Sequence, residues 1–152
     1  MSLKTRIAMG ALALAIPLVT AYEGRNLVAY LDPVGIPTIC DGITHGVQLG
    51  QVKTSAQCDA LLEAELGRAI AAVDRLALYP QPDTRRAALG SFVFNVGGAA
   101  FASSTLLRKL NAGDVAGACA ELSRWVYAKG KRLGGLVRRR AAERQLCEEG
   151  LQ

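Results

Sequence analysis

The chain has 152 residues, 51% hydrophobic, 5% aromatic and 20% charged, with a formal net charge of +5. That length is one domain, and the apolar share can bury a substantial core, which excludes a disordered chain. The positive balance suits a polyanionic partner, but few aromatics and no recognised motif argue against nucleic acid and for an acidic wall polymer. Lys129, Lys131, Arg132, Arg138, Arg139, Arg140 and Arg144 crowd one short segment, although arginines such as Arg138–Arg140 more often form a solvated helix face than ligand contacts.

At the N-terminus, Lys4 and Arg6 precede an uncharged stretch, Ile7–Tyr22, which reads as an export signal. It is short against the roughly 20 apolar residues of a spanning helix, and Gly10, Pro17, Thr20 and several alanines dilute it. A permanent anchor is therefore disfavoured. A cleaved signal peptide would use Val19-Thr20-Ala21 as its small-residue site, but the cut would leave Glu23 near a new terminus with nothing to hold its helix.

Beyond Asp32, the residues Pro33, Gly35, Pro37, Gly42, Gly46 and Gly50 punctuate β-branched runs such as Ile36–Ile39. This predicts a small antiparallel sheet with tight turns. Thr54-Ser55-Ala56-Gln57 fits a capping box. It opens a helix whose Cys58, Leu62, Leu66, Ala69, Ile70 and Val73 recur at helical spacing. Tyr79-Pro80-Gln81-Pro82 breaks that helix. Asp83 or Thr84 then caps another, running to about Val96 and ended by Gly97-Gly98, with Phe92, Phe94 and Val96 as core. Shorter helices are expected over Ser104–Leu110 and Asp114–Trp125, and a last one over Leu136–Glu149. The fold class is α+β: a small N-terminal lobe with a short antiparallel sheet, and a larger helical C-terminal lobe.

Cys40, Cys58, Cys119 and Cys147 lie at no metal-like spacing, and His45 is the single histidine, so no metal site is indicated. In an exported chain they would oxidise. Of the three possible pairings, Cys40–Cys58 and Cys119–Cys147 each close a loop within one part of the chain and are favoured. Buried free thiols are the alternative.

Glu23, Asp32 and Thr38 directly follow the apolar stretch, in the segments Glu23-Gly24, Tyr30-Leu31-Asp32 and Gly35-Ile36-Pro37-Thr38. Glycosidic cleavage needs one carboxyl that donates a proton to the leaving oxygen and a second that stays ionised opposite it. Downstream stand Arg85-Arg86-Ala87-Ala88-Leu89, Ser91-Phe92-Val93-Phe94-Asn95-Val96-Gly97, Ser104 through Asp114, Arg124-Trp125 and Gly134 through Arg140. Together these segments resemble, in order, the phage-type lysozymes of glycoside hydrolase family 24, over nearly the whole chain. One position departs: where that family carries a histidine five residues after its threonine, this chain has Ile43. No role passes to His45, which reads as a surface or turn residue.

The resemblance implies a lysozyme-like fold with a cleft between the lobes, which binds peptidoglycan glycan strands and cuts the β-1,4 bond from N-acetylmuramic acid to N-acetylglucosamine. It makes Glu23 the general acid, with its pKa raised by partial desolvation at the end of the apolar stretch. Asp32, better solvated, and Thr38 would direct water in an inverting reaction, without metal or cofactor. Ser91, Asn95, Trp125 and Arg138 are candidates to line the cleft. The N-terminus also resembles the signal-anchor-release segment of a subgroup of phage endolysins. Residues 1–22 would then be exported uncleaved, held in the inner membrane, and later released to pack on the catalytic domain, residues 23–152, as a periplasmic monomer. Two rivals stand against this reading. A catalytically silent peptidoglycan-binding membrane protein has no need of the acid–acid–hydroxyl set, and a basic nucleic-acid-binding domain has no need of the export signal.

Overall fold

The computed structural model of the chain describes residues 3–151, with side chains described from Met9 onward. The side chains of Lys4 and Arg6, which the sequence places ahead of its expected export signal, lie outside the described residues. Helix α1 (Leu3–Tyr22) leads into a hairpin of β1 (Asn26–Leu31) and β2 (Pro37–Cys40), antiparallel with Tyr30 opposite Thr38. Then follow α2 (Ser55–Leu76), α3 (Asp83–Val96), α4 (Gly98–Ala102), α5 (Thr105–Asn111) and α6 (Val115–Glu121). A 3₁₀ turn over Leu122–Arg124, a second hairpin of β3 (Tyr127–Ala128) and β4 (Lys131–Arg132), and α7 (Gly134–Glu148) complete the order. This is the α+β, mostly helical fold expected, with a short two-stranded sheet in the small lobe.

Local chemistry explains most boundaries. Thr54 caps α2 by accepting from the Gln57 amide while the Gln57 side chain accepts from the Thr54 amide, the reciprocal box read from sequence. Ser104 and Asp114 cap α5 and α6 by accepting from Leu107 and Gly117. Two expectations need correction, and two elements were not foreseen. The cap position of α3 is Pro82, with no side-chain cap, while Asp83 lies in the first turn and pairs with Arg86. The helix begun at Val115 stops at Glu121 and tightens into the 3₁₀ turn before Trp125. The five-residue α4 and the β3–β4 hairpin had no periodicity long enough to register.

Helix α3 is the axis of the molecule. Every residue from Arg85 to Val93 is buried, because α1, α2 and α7 all pack on it. The main core joins α2, α3, α5, α6 and the end of α7. A second cluster sets Ala11, Ala15 and Val19 of α1, all fully buried, against Leu62, Leu66, Ile70 and Ala87. A third lies under the β1–β2 hairpin, around Ile39, Ile43 and Cys58, and Phe94 packs against all three. Ile43 is thus a core residue, and His45 stands exposed in the turn beyond it. Arg25 ties the small lobe to α2, reaching buried Asp41 and exposed Asp59 at 2.7 Å each. Among the described residues, no helix is long and apolar enough to cross a membrane.

Both favoured disulfides are present: Cys40–Cys58 joins β2 to α2, and Cys119–Cys147 joins α6 to α7. The second spans 28 residues. Closing such a loop in the unfolded chain stabilises the fold by about 3–4 kcal/mol. Replacing Cys119 and Cys147 together by serine is expected to lower the unfolding free energy by about that amount in equilibrium guanidinium titration. A midpoint and slope equal to those of the parent would contradict it.

Candidate active site

Glu23 is the residue immediately after α1, and its amide still bonds the Val19 carbonyl at 2.9 Å. A carboxylate at a helix C-terminus faces the negative end of the helix dipole, and α1 has no basic residue in its last turn to offset it. Arg139 supplies the missing charge from α7: its Nη1 donates to Glu23 Oε1 at 2.7 Å. On the other side stands Gly42, with φ +75°. A Cβ there would lie 2.7 Å from Glu23 Oε2, so only glycine suits both the backbone and the neighbour. Glu23 keeps 23% of its side chain exposed. A guanidinium, a glycine backbone and an opening thus border Glu23.

That opening is a cavity of about 490 Å³ bordered by Tyr22, Glu23, Asn95, Leu136, Arg138 and Arg139, among others. A second, of about 330 Å³, lies beyond Gly42 and is bordered by Thr44, His45, Glu65, Arg68, Phe94 and Gly97, among others.

Asp32 and Thr38 sit on the turn and second strand of the β1–β2 hairpin, linked through one residue. The Ile36 amide donates to Asp32 Oδ1 at 2.8 Å, and the Thr38 hydroxyl donates to the Ile36 carbonyl at 2.9 Å. Val34 also donates to Asp32 Oδ1, at 2.9 Å. Asp32 Oδ1 is thereby committed to the turn, while Oδ2 has no hydrogen-bond partner among the described residues. The Thr38 proton is likewise spoken for, which leaves its oxygen as an acceptor.

Beneath the cavity lies a polar layer that sequence reasoning missed. Arg139 and Arg140 are not a solvated face: they are 3% and 1% exposed, and Arg138 alone of the three is open. Arg139 also donates to the Ser91 carbonyl at 3.2 Å and to its hydroxyl at 3.4 Å. Ser91 is completely buried, so it holds Arg139 rather than lining a cleft. Arg140 donates to Glu143 and to Asn95 Oδ1, and its Nε donates to the Trp125 carbonyl at 2.9 Å. Its guanidinium also lies 5.0 Å from the centroid of the Phe92 ring, on whose edge Trp125 packs. Burial pushes the Glu143 carboxyl up, against the pull of Arg140 and Arg139, and lowers the Arg140 pKa. The signal was spacing. Arg139, Arg140, Glu143 and Cys147 fall on one face of α7, and Ser91 and Asn95, one turn apart on α3, are the acceptors that meet them.

The phage lysozyme family model matches residues 20–143. The SAR-endolysin of Enterobacteria phage PA-2 is 42% identical, covering 96% of this chain and 93% of its own. The crystal structure of the active form of P1 phage endolysin Lyz superposes with a TM-score of 0.81 at 28% identity, covering 91% of this chain and 85% of that one. The secreted inactive form of the same endolysin superposes with a TM-score of 0.57 at 29% identity, covering 74% and 80%. The chain belongs to the phage lysozyme family.

A buried pair such as Arg140–Glu143 costs much when broken and little when replaced whole. Arg140→Met, which strands Glu143, is expected to lower stability by about 3–5 kcal/mol. The double change Arg140→Met with Glu143→Met is expected to recover most of that loss in urea titration. Equal losses in the single and the double variant would contradict the pairing.

Proposed function

We propose that this protein is an endolysin that hydrolyses the β-1,4 bond between N-acetylmuramic acid and N-acetylglucosamine in peptidoglycan, causing host cell lysis. The observation that carries this is Glu23, held by Arg139 at the border of a cavity, with Asp32 and Thr38 coupled through Ile36. Glu23 protonates the leaving glycosidic oxygen. Asp32 Oδ2 and the Thr38 oxygen, each open as an acceptor, orient the attacking water, so that the anomeric carbon inverts. Asn95, Trp125 and Arg138 border or support the glycan path. The reaction needs no cofactor, and the enzyme works as a monomer.

Glu23→Gln keeps the shape of the side chain and removes its proton. Its clearing rate on outer-membrane-permeabilised Gram-negative cells is expected to fall by a factor on the order of 10² or more, with an unchanged circular dichroism spectrum. Clearing at near the parent rate would overturn Glu23 as the general acid, whereas a parent that clears no cells would support the silent peptidoglycan-binding alternative.

Residues 1–22 supply timing on this reading. The protein is exported uncleaved, held in the inner membrane through residues 7–22, and active in the periplasm once α1 docks as the structure describes. A docked α1 sets Glu23 against Arg139; an α1 in the bilayer withdraws Glu23 from it. Ala13 lies on the exposed side of the docked helix, whereas a Cβ on Gly10 would fall 2.3 Å from Asp83 Oδ2. Ala13→Leu adds roughly 2 kcal/mol of membrane preference without touching the docked fold. It is expected to retain the protein in the membrane fraction and delay lysis, while material recovered in solution clears cells at the parent rate. Gly10→Leu is expected to show the same delay and, in addition, a soluble form destabilised by about 1–3 kcal/mol. Lysis on the parent schedule by Ala13→Leu, or a periplasmic protein beginning at Tyr22, would replace release by cleavage.

A further inference from the structure

Gly42 stands against Glu23 at the end of a short turn. Ile39 and Ile43 exchange backbone hydrogen bonds of 2.9 Å in both directions, which leaves Cys40, Asp41 and Gly42 between them. Cys40 and Gly42 both adopt the left-handed backbone, at φ +58° and +75°. For a cysteine that conformation is unfavourable, so contacts outside the turn must hold it. Each of the three residues makes one. Cys40 is bonded to Cys58 of α2, Asp41 is gripped by Arg25, and Gly42 faces Glu23 Oε2.

Asp41 is 2% exposed, and Arg25 engages both of its oxygens. Nη2 donates to Oδ2 at 2.7 Å, while Nε lies 3.1 Å from Oδ2 and 3.2 Å from Oδ1. A planar fork on a carboxylate fixes orientation as well as distance. The hydrogen bond to Asp41, ahead of the one to Asp59, pushes the Arg25 pKa up. Asp59 keeps 65% of its side chain in water, where such a pairing contributes little.

Arg25 follows Glu23 by two residues, and Asp41 immediately precedes Gly42. The pair therefore closes a small ring. It runs from Glu23 through Gly24 to Arg25, across to Asp41, and through Gly42 back to the Glu23 carboxyl. We propose that Arg25 and Asp41 are positioning residues, which clamp the segment carrying Glu23 to the turn that supplies Gly42, on the reading that Glu23 is the general acid. Neither borders the cavity beside Glu23 or the one beyond Gly42, so they act through these two residues and not on the glycan. The Val19 carbonyl holds Glu23 from the side of α1, and Arg139 holds its carboxyl. The clamp holds the chain on the side where α1 has already ended.

Steady-state cleavage of solubilised peptidoglycan strands by the full-length chain tests this, at a temperature where circular dichroism shows each variant folded. Asp41→Asn and Arg25→Gln are expected to lower kcat about ten- to hundredfold, as for a misplaced catalytic group, with KM changed by less than about threefold. Arg25→Lys keeps the charge and gives up the planar fork, so its kcat is expected to fall in between. Should the other two variants fail to fold, Arg25→Lys carries the test. Asp59→Asn removes the exposed partner of the same guanidinium and is expected to keep the parent kcat. The double variant Arg25→Gln/Asp41→Asn is expected to be no slower than the slower single one, because both changes open one ring. A parent kcat in Asp41→Asn, or in Arg25→Lys where that is the variant that folds, would overturn the clamp. So would equal losses of kcat in Asp41→Asn and Asp59→Asn, which would reduce Arg25 to a tie between the small lobe and α2. A parent that cleaves no strand would overturn the reading of Glu23 itself, an outcome distinct from an active parent with indifferent variants.

Discussion

The contact between Arg139 and Glu23 joins the end of the first helix to the start of the last, 116 residues apart. The rest of the molecule can be understood from what that contact requires. Glu23 has no helix of its own: its place is set by where α1 ends, and α1 is placed by a thin row of small residues, Ala11, Ala15 and Val19, on α2 and α3. Arg139 in turn is placed by α3 through Ser91. Helix α3 therefore serves as the common reference for both partners. Its burial from Arg85 to Val93 is the structural expression of that role.

Placing a guanidinium beside a carboxylate at a partly open site brings a cost beneath it. Arg139 and Arg140 are adjacent, both buried, and repel one another. Glu143 sits one turn away, fully buried, and offsets part of that repulsion. Burial raises the Glu143 carboxyl and lowers Arg140, so desolvation opposes the charged pair even as Coulomb attraction favours it. Such a network adds little net stability. Its use is geometric. Arg140 fixes Asn95 Oδ1 and the Trp125 carbonyl at once, so the cavity border on α3 and the segment leading to the second hairpin are held in one register.

Much of this was legible in the sequence. The capping box at Thr54, the Pro-rich break after α2, the hairpin between Asp32 and Thr38 and both disulfides follow from local rules that tertiary context did not override. The link from Asp32 to Thr38 through Ile36 lies within one hairpin, so its residues stand close in sequence. The polar layer could not be read so directly. Arginines in a basic run look like a solvated face, and only the coincidence of two helical repeats, on α7 and α3, distinguishes a buried row from an exposed one. Ser91 shows the same limit from the other side: it was a candidate to line the cleft, but it is completely buried and holds Arg139 of α7. Pro82 in the cap position of α3 shows that capping rules state preferences, and packing on three sides can position a helix start without a side-chain cap.

On the proposed release reading, helix α1 carries two sets of demands, and their conflict accounts for features that a purely soluble helix would not have. In the enzyme it must pack closely, so its inner face is built of alanine and valine, and Gly10 lets it approach Asp83. On the release reading proposed above it must also be apolar on its outer face, where Met9 is 52% exposed and Leu14 40% exposed in water. Small inner residues serve both states, because they lower the hydrophobicity of the segment while allowing the tight docked contact. Any change that made the helix a firmer membrane segment through its inner face would enlarge residues the enzyme needs small. The freedom to tune membrane residence therefore lies on the outer face, at positions such as Ala13, where the folded enzyme makes no demand.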